Sequence, residues 1–147
     1  MPTPNPSEPG RLSSALSDAF TALFNSETRL YRLQAEGEAD GLLVESWSQR
    51  EGLSQPWELQ ISTLSTNARL DIHAMLGQRV TLLTKLADGR TEHPRSGIVT
   101  QAVAVAADGG FARYQLTVRP WLALLAYGAR SAVWQEKSLP EIIDSVF

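Results

Sequence analysis

The feature that most constrains this chain is a hydrophobic period of two that sets in at Arg29 and recurs as far as Arg119. Trp57, Leu59, Ile61 and Thr63 alternate with Glu58, Gln60 and Ser62, and Tyr31, Leu33 and Ala35 alternate with Arg32 and Gln34. Successive side chains of a strand point to opposite faces, so this spacing predicts half-buried strands rather than helices. Val80 to Leu86 reads as a further strand. Gly97 to Ala106 and Phe111 to Val118 flank Asp108-Gly109-Gly110, which supplies the positive-φ residues of a hairpin turn. In its second arm Ala112, Tyr114, Leu116 and Val118 face one way, and Arg113, Gln115, Thr117 and Arg119 the other.

Between strands, Leu70 to Leu76 suits one or two helical turns ended by Gly77. The expected fold is therefore mainly β: an antiparallel barrel or rolled sheet, closed or nearly closed, with one short helix. Rolling removes exposed edges from six or seven short-linked strands.

The ends read differently. Met1 to Ser14 carries prolines at 2, 4, 6 and 9 and almost nothing apolar, so 1–14 is expected to be a flexible tail. The spacing of Leu16, Phe20, Leu23 and Phe24 predicts a short amphipathic helix over 15–24. The barrel is assigned to 25–125, and 126–147 to the start of a second, truncated domain. That last stretch turns a corner at Arg119-Pro120-Trp121, runs through an apolar segment and a strand from Arg130 to Gln135, and enters a helix at Leu139. Ser138 and Glu141 have capping-box spacing, and Pro140 sits in the first turn, where its missing N–H breaks nothing. Leu139, Ile142, Ile143 and Val146 then form an apolar face, so the chain reads as a piece of something longer.

Composition excludes several functions. Thirteen Lys and Arg against sixteen Asp and Glu leave a net charge of −3, with the basic residues scattered, which argues against nucleic acid. There is no cysteine, so thiolate and disulfide chemistry are absent. No apolar run approaches the roughly 20 residues that span a bilayer, and the N-terminus lacks the pattern of a secretory signal. No nucleophile elbow, phosphate loop, dinucleotide fingerprint or zinc-protease motif occurs, so no catalytic residue and no cofactor is expected.

His73 and His93 are too isolated for a metal centre, which needs three or four ligands. Glu36, Glu38, Asp40 and Gly41 imitate the opening of a calcium loop, but Trp47 stands where the bidentate Glu belongs, so an acidic turn is the better reading. Trp57 reads as core, Trp121 as buried or interfacial, and Trp47, between Ser46 and Ser48, as exposed.

The segments from about Leu30 to Phe147 resemble, in order, the N-terminal, phage tail-hub-like region of the type VI secretion spike proteins, VgrG. The carriers are Glu51-Gly-Leu-Ser54 with Trp57, Asp71-Ile72, Leu76-Gly77-Gln-Arg-Val80-Thr-Leu82 and Asp88-Gly89-Arg90. They continue with Ser96-Gly97-Ile98-Val99-Thr100, Tyr114 to Leu122 with its Pro120-Trp121 corner, and Val133-Trp134-Gln135 through Ile143. Ala132 and Trp134 depart from the family's usual Arg and Phe, so any role of that Arg is lost here.

The resemblance implies a structural, non-enzymatic part of a contractile injection machine. It would cap the inner tube as a homotrimer, meet the inner-tube and baseplate proteins, and help to deliver effectors. It would be assembled in the bacterial cytoplasm and exported without a cleavable signal. Arg113, Gln115, Thr117 and Arg119 would then line a ring or face a neighbouring subunit. The alternative is a stand-alone β-barrel that grips a peptide or glycan with Trp47 and the polar strand face.

Overall fold

A computed structural model describes residues 29–108, 110–128 and 131–146. The tail expected at 1–14 and the helix expected at 15–24 lie outside the described residues.

Six strands form one antiparallel sheet: β1 (Tyr31–Ala35), β2 (Leu43–Gly52), β3 (Gln55–Ser65), β4 (Arg79–Lys85), β5 (Glu92–Asp108) and β6 (Phe111–Arg119). Their spatial order is β1-β4-β5-β6-β3-β2. The strand β5 belongs to two neighbourhoods in succession. Its first half, Glu92 to Ile98, pairs with β4, and its second, from Ile98 to Asp108, pairs with β6. A bulge at Thr100 follows the change at Ile98, since Val99 faces Val118 and Gln101 faces Thr117. An extra residue bends a strand and sharpens its twist, which is how one strand turns a corner between two sheet directions. Pro94 is tolerated in the first half because no described strand needs a donor on its other side.

This bend curls the sheet into a half-barrel. The predicted rolled sheet is what forms, and its two edges meet through side chains rather than through a backbone ladder. Arg29 Nη1 donates to Val44 O at 3.0 Å, and the rings of Tyr31 and Trp47 meet edge to face at 5.9 Å.

The predicted face assignments account for the core. Leu59, Ile61 and Thr63 of β3 lie against Tyr114, Leu116 and Val118 of β6, with Val80 and Leu82 of β4, Val99 of β5 and Leu33 of β1. Two polar groups inside are satisfied. Thr63 Oγ1 donates to Tyr114 O at 3.1 Å, and Tyr114 Oη donates to Asn67 O at 2.9 Å. Burying hydroxyls without such partners would cost free energy.

Connections follow from their residues. The acidic turn after β1 is a short 3-10 helix, Gly37–Ala39, bent by Gly37 and Gly41 at positive φ. In place of the expected helical turns at Leu70 to Leu76, residues 72–77 make a run of turns, opened by Asp71 Oδ1 accepting from His73 N and ended by Gly77 at φ 79°. Met75 points inward from it and is fully buried.

After Pro120 the chain makes a 3-10 helix, Trp121–Tyr127, and ends in helix α1 (Leu139–Val146). Glu141 Oε2 accepts from both Ser138 N and Ser138 Oγ at 2.7 Å, so the Ser hydroxyl is spent on the carboxylate rather than on a helix amide. The strand expected from Arg130 to Gln135 is not found among the described residues: 131–135 are exposed and unpaired. A strand exists only where another edge accepts its hydrogen bonds, and none is offered there.

Candidate functional site

The polar face predicted on the last strand is present. Arg113, Gln115, Thr117 and Arg119 all sit on the face of β6 opposite Tyr114 and Leu116, and β6 lies between β5 and β3 near the middle of the sheet. The face is graded rather than uniformly wet. Arg113 is exposed, Gln115 and Arg119 are half-buried, and Thr117 is buried at 8% exposure. Its backbone carbonyl accepts from Thr100 Oγ1 at 3.2 Å, which ties the face to the bulge of β5.

Both arginines are engaged within the chain. Arg113 binds Glu45 with two parallel hydrogen bonds of 2.7 Å, from Nε and Nη2. It reaches across β3 to do so, because Arg113 is in register with Leu64 and Glu45 lies on β2 beyond it. Glu45 is the extra residue of a β2 bulge between Val44 and Ser46, and the bulge aims its carboxylate at the guanidinium. Arg119 Nε donates to Glu58 Oε2 at 3.0 Å, and Nη2 binds the same oxygen. That pair is the next step of the β3–β6 ladder after Leu59 and Val118. A third brace, Arg32 to Glu92 at 3.0 Å, spans β4 in the same way.

The hydrogen bond from Arg113 holds the Glu45 carboxyl below its ordinary pKa, and Arg119, followed by Gln60, does the same for Glu58. The pairs raise both arginines further above neutrality. These are fork-shaped charge-assisted bonds, which fix geometry more than they add stability at a surface.

At the edge of this face the sheet packs tightly against a glycine. Gly97 is buried beneath Trp57, and a β-carbon there would stand 2.6 Å from Trp57 Cη2 and 2.7 Å from Arg119 O. Only a residue without a side chain lets the indole lie across β5 where that strand turns its corner.

Trp47, expected in solvent, is half-buried. The Arg95 guanidinium lies 4.9 Å from its ring centre on one side, and Tyr31 meets it on another. Its position on the closing edge of the half-barrel was not marked by its neighbours Ser46 and Ser48. Trp121, expected to be buried or interfacial, is 53% exposed, and Trp134 is half-covered with Lys137 Nζ at 5.2 Å. His73 and His93 are both exposed. In the acidic turn, Glu38 Oε2 accepts from Asp71 N of the turn segment before β4, and Asp40 Oδ1 from Gly41 N, so one carboxylate ties two loops together and the other serves its own loop's backbone.

Among the described residues the arrangement is thus a braced wall: a curled sheet, a polar central strand held by cross-strand ion pairs, and an apolar C-terminal extension. The family model of the phage tail baseplate hub (GPD) matches residues 50–147. This chain belongs to the phage tail baseplate hub family. Hub-family relatives include two type VI secretion system spike proteins of Pseudomonas aeruginosa. VgrG1b is 34% identical over 121 residues, covering 82% of this chain and 16% of the relative. VgrG1c is 32% identical over 128 residues, covering 87% and 18%. The chain therefore spans less than a fifth of the length of either spike protein. Among solved structures, the E. coli c3393 protein, described as a type VI secretion component with structural similarity to T4 tail proteins gp27 and gp5, superimposes with a TM-score of 0.66. Identity there is 23%, over 78% of this chain and 31% of the other, so that likeness speaks for the fold. The hub fold inferred from the ordered motifs is the fold of this chain.

Proposed function

We propose that this chain is the hub part of a type VI secretion spike, capping the inner tube and helping to carry effectors into target cells. The observation that carries this reading is the match of the hub family to residues 50–147, the stretch that builds β3 to β6 and the exit past Pro120. Its work is mechanical. In the full-length spike it acts as a homotrimer, against the inner-tube protein and the baseplate. It is assembled in the bacterial cytoplasm and leaves with the machine rather than through a cleavable signal. Residues 25–125 serve as the tube-like unit, and 126–147 open the next one.

In this reading Arg113, Gln115, Thr117 and Arg119 face the bore of the ring or the neighbouring subunit. The braces to Glu45 and Glu58 hold that wall flat under load. Charge reversal Arg119→Glu in the full spike tests the assignment, with the swapped pair Glu58→Arg/Arg119→Glu as the control that keeps the internal brace. Trimers unaffected by either change would remove these residues from the interface or bore.

The function itself is tested in the bacterium. Deleting the gene should abolish release of the inner-tube protein into the medium, and the intact gene should restore it. Undiminished release from the deletion strain would sink the spike reading.

A further inference from the structure

At the end of the half-barrel where β1 begins, inward-facing residues from four strands meet. Trp47 of β2 is opposite Ile61, Arg95 of β5 is opposite Leu82, and Tyr31 of β1 is opposite Thr84 of β4. Ile61 and Leu82 are fully buried, so these side chains stand on the core face of the sheet. The Arg95 guanidinium lies 4.9 Å from the centre of the Trp47 ring, and Tyr31 meets that ring edge to face. Two buried polar atoms of the group, Trp47 Nε1 and Thr84 Oγ1, have no hydrogen-bond partner among the described residues. Arg95 is half-buried and has no carboxylate at ion-pair distance among the described residues. Buried polar groups and buried charges are ordinarily satisfied. The acids on the neighbouring strands are already engaged. In the β4–β5 hairpin Glu92 is bound by Arg32, and Asp88 accepts from Arg90 N and Thr91 N of its own turn. On β2 Glu45 is held by Arg113, and Glu51 accepts from Gln49 Nε2.

We propose that this end of the half-barrel is a binding site for a peptide carboxylate. Each unsatisfied group in it donates or can donate: the indole N–H, the threonine hydroxyl and the guanidinium. Their complement is an acceptor. A planar guanidinium stacked on an aromatic ring keeps its edge for the two oxygens of a carboxylate. A string of phosphates calls for several cations on one face, and Arg95 is the one cation stacked in this group. The rings of Tyr31 and Trp47 offer a wall for the methylene stem of an acidic side chain. An Asp or Glu side chain and a chain's C-terminus carry the same chemistry. The two buried atoms are shut off from water, so the Arg95 fork is the first contact, and the indole N–H gains its acceptor as the guanidinium lifts from the ring. The site is built from side chains of this chain alone and stands apart from the spike reading.

The Trp47 indole N–H gives its own signal in a nitrogen–proton spectrum of the full chain, identified by its loss in Trp47→Phe. Acetyl-Gly-Glu-Gly-amide, or acetyl-Gly-Gly with a free C-terminus, should shift that signal saturably at millimolar concentration. The neutral acetyl-Gly-Gln-Gly-amide should not, and whichever acid binds more tightly names the source of the carboxylate. Arg95→Gln should weaken binding by about tenfold or more. Where that change costs the fold, as its melting temperature would show, Thr84→Val carries the same reading with a loss of about threefold. Arg90→Gln, in the exposed connection between β4 and β5, should leave binding within about twofold. A signal that ignores both acids, moves equally with the Gln peptide, or weakens as much in Arg90→Gln as in Arg95→Gln would overturn the proposal. A null titration leaves the spike reading untouched, and undiminished inner-tube release from the deletion strain leaves the carboxylate site untouched.

Discussion

Gly97 lies under the indole of Trp57, so that a β-carbon on the glycine would be 2.6 Å from Trp57 Cη2 and 2.7 Å from both Arg119 O and Val118 Cγ1. One of those neighbours is backbone and cannot swing aside. The substitution Gly97→Ala should therefore cost about 1–3 kcal/mol, the usual range for overpacking, read from thermal or denaturant unfolding. Combined with Trp57→Leu, the loss should be less than the sum of the two single changes, because only the indole contact is relieved.

The ion pairs of the β6 face make acid stability asymmetric. Glu45 and Glu58 titrate below their ordinary value of 4.5 in the folded chain, chiefly through Arg113 and Arg119. The unfolded state then binds more protons in that window, so stability rises with pH there. Their contribution is fully present above the unfolded value and is lost as pH falls through the lowered folded one. Melting temperature should drop below about pH 4.5, and Glu45→Gln/Glu58→Gln should flatten that limb. At pH 7 the Glu58–Arg119 pair should be worth at most about 1 kcal/mol after solvent screening.

Trp47 fastens the two edges of the half-barrel through Tyr31, with Arg95 against its ring. Trp47→Ala should cost about 2 kcal/mol, through lost aromatic packing and partial burial. Hydrogen exchange should quicken in β1 far more than in β6, because β1 keeps only β4 as a ladder partner.

The C-terminal extension offers its apolar side chains to solvent: Leu139 is 71% exposed, Tyr127 67% and Val146 51%. Replacing Leu139 and Val146 with Ser should change unfolding free energy by no more than about 0.5 kcal/mol each. Binding of an apolar fluorescent dye should fall, since exposed apolar side chains on one helix face make an association surface.

Alternation along the chain by itself determined which side chains of β3 and β6 face inward, and the glycines at 37, 41 and 77 fixed where the chain turns at positive φ. Both are local properties: the pleat repeats every two residues, and positive φ excludes most side chains wherever it occurs. The order of the family's motifs was also legible, and with it the hub fold. The partners of each strand were not. That β5 begins at Glu92, runs through Pro94, changes neighbours at Ile98 and bulges at Thr100 depends on which edges reach it. Glu58 follows from the β3–β6 register once that register is known, but Glu45 reaches Arg113 only because a bulge on a strand two places away turns it there. Trp47 is covered only because the sheet curls until its edges meet, and 131–135 form no strand because no edge comes to them. Side-chain direction is decided within a few bonds of backbone, whereas hydrogen-bond pairing and burial between strands are decided by segments distant in sequence, and those only the tertiary structure brings together.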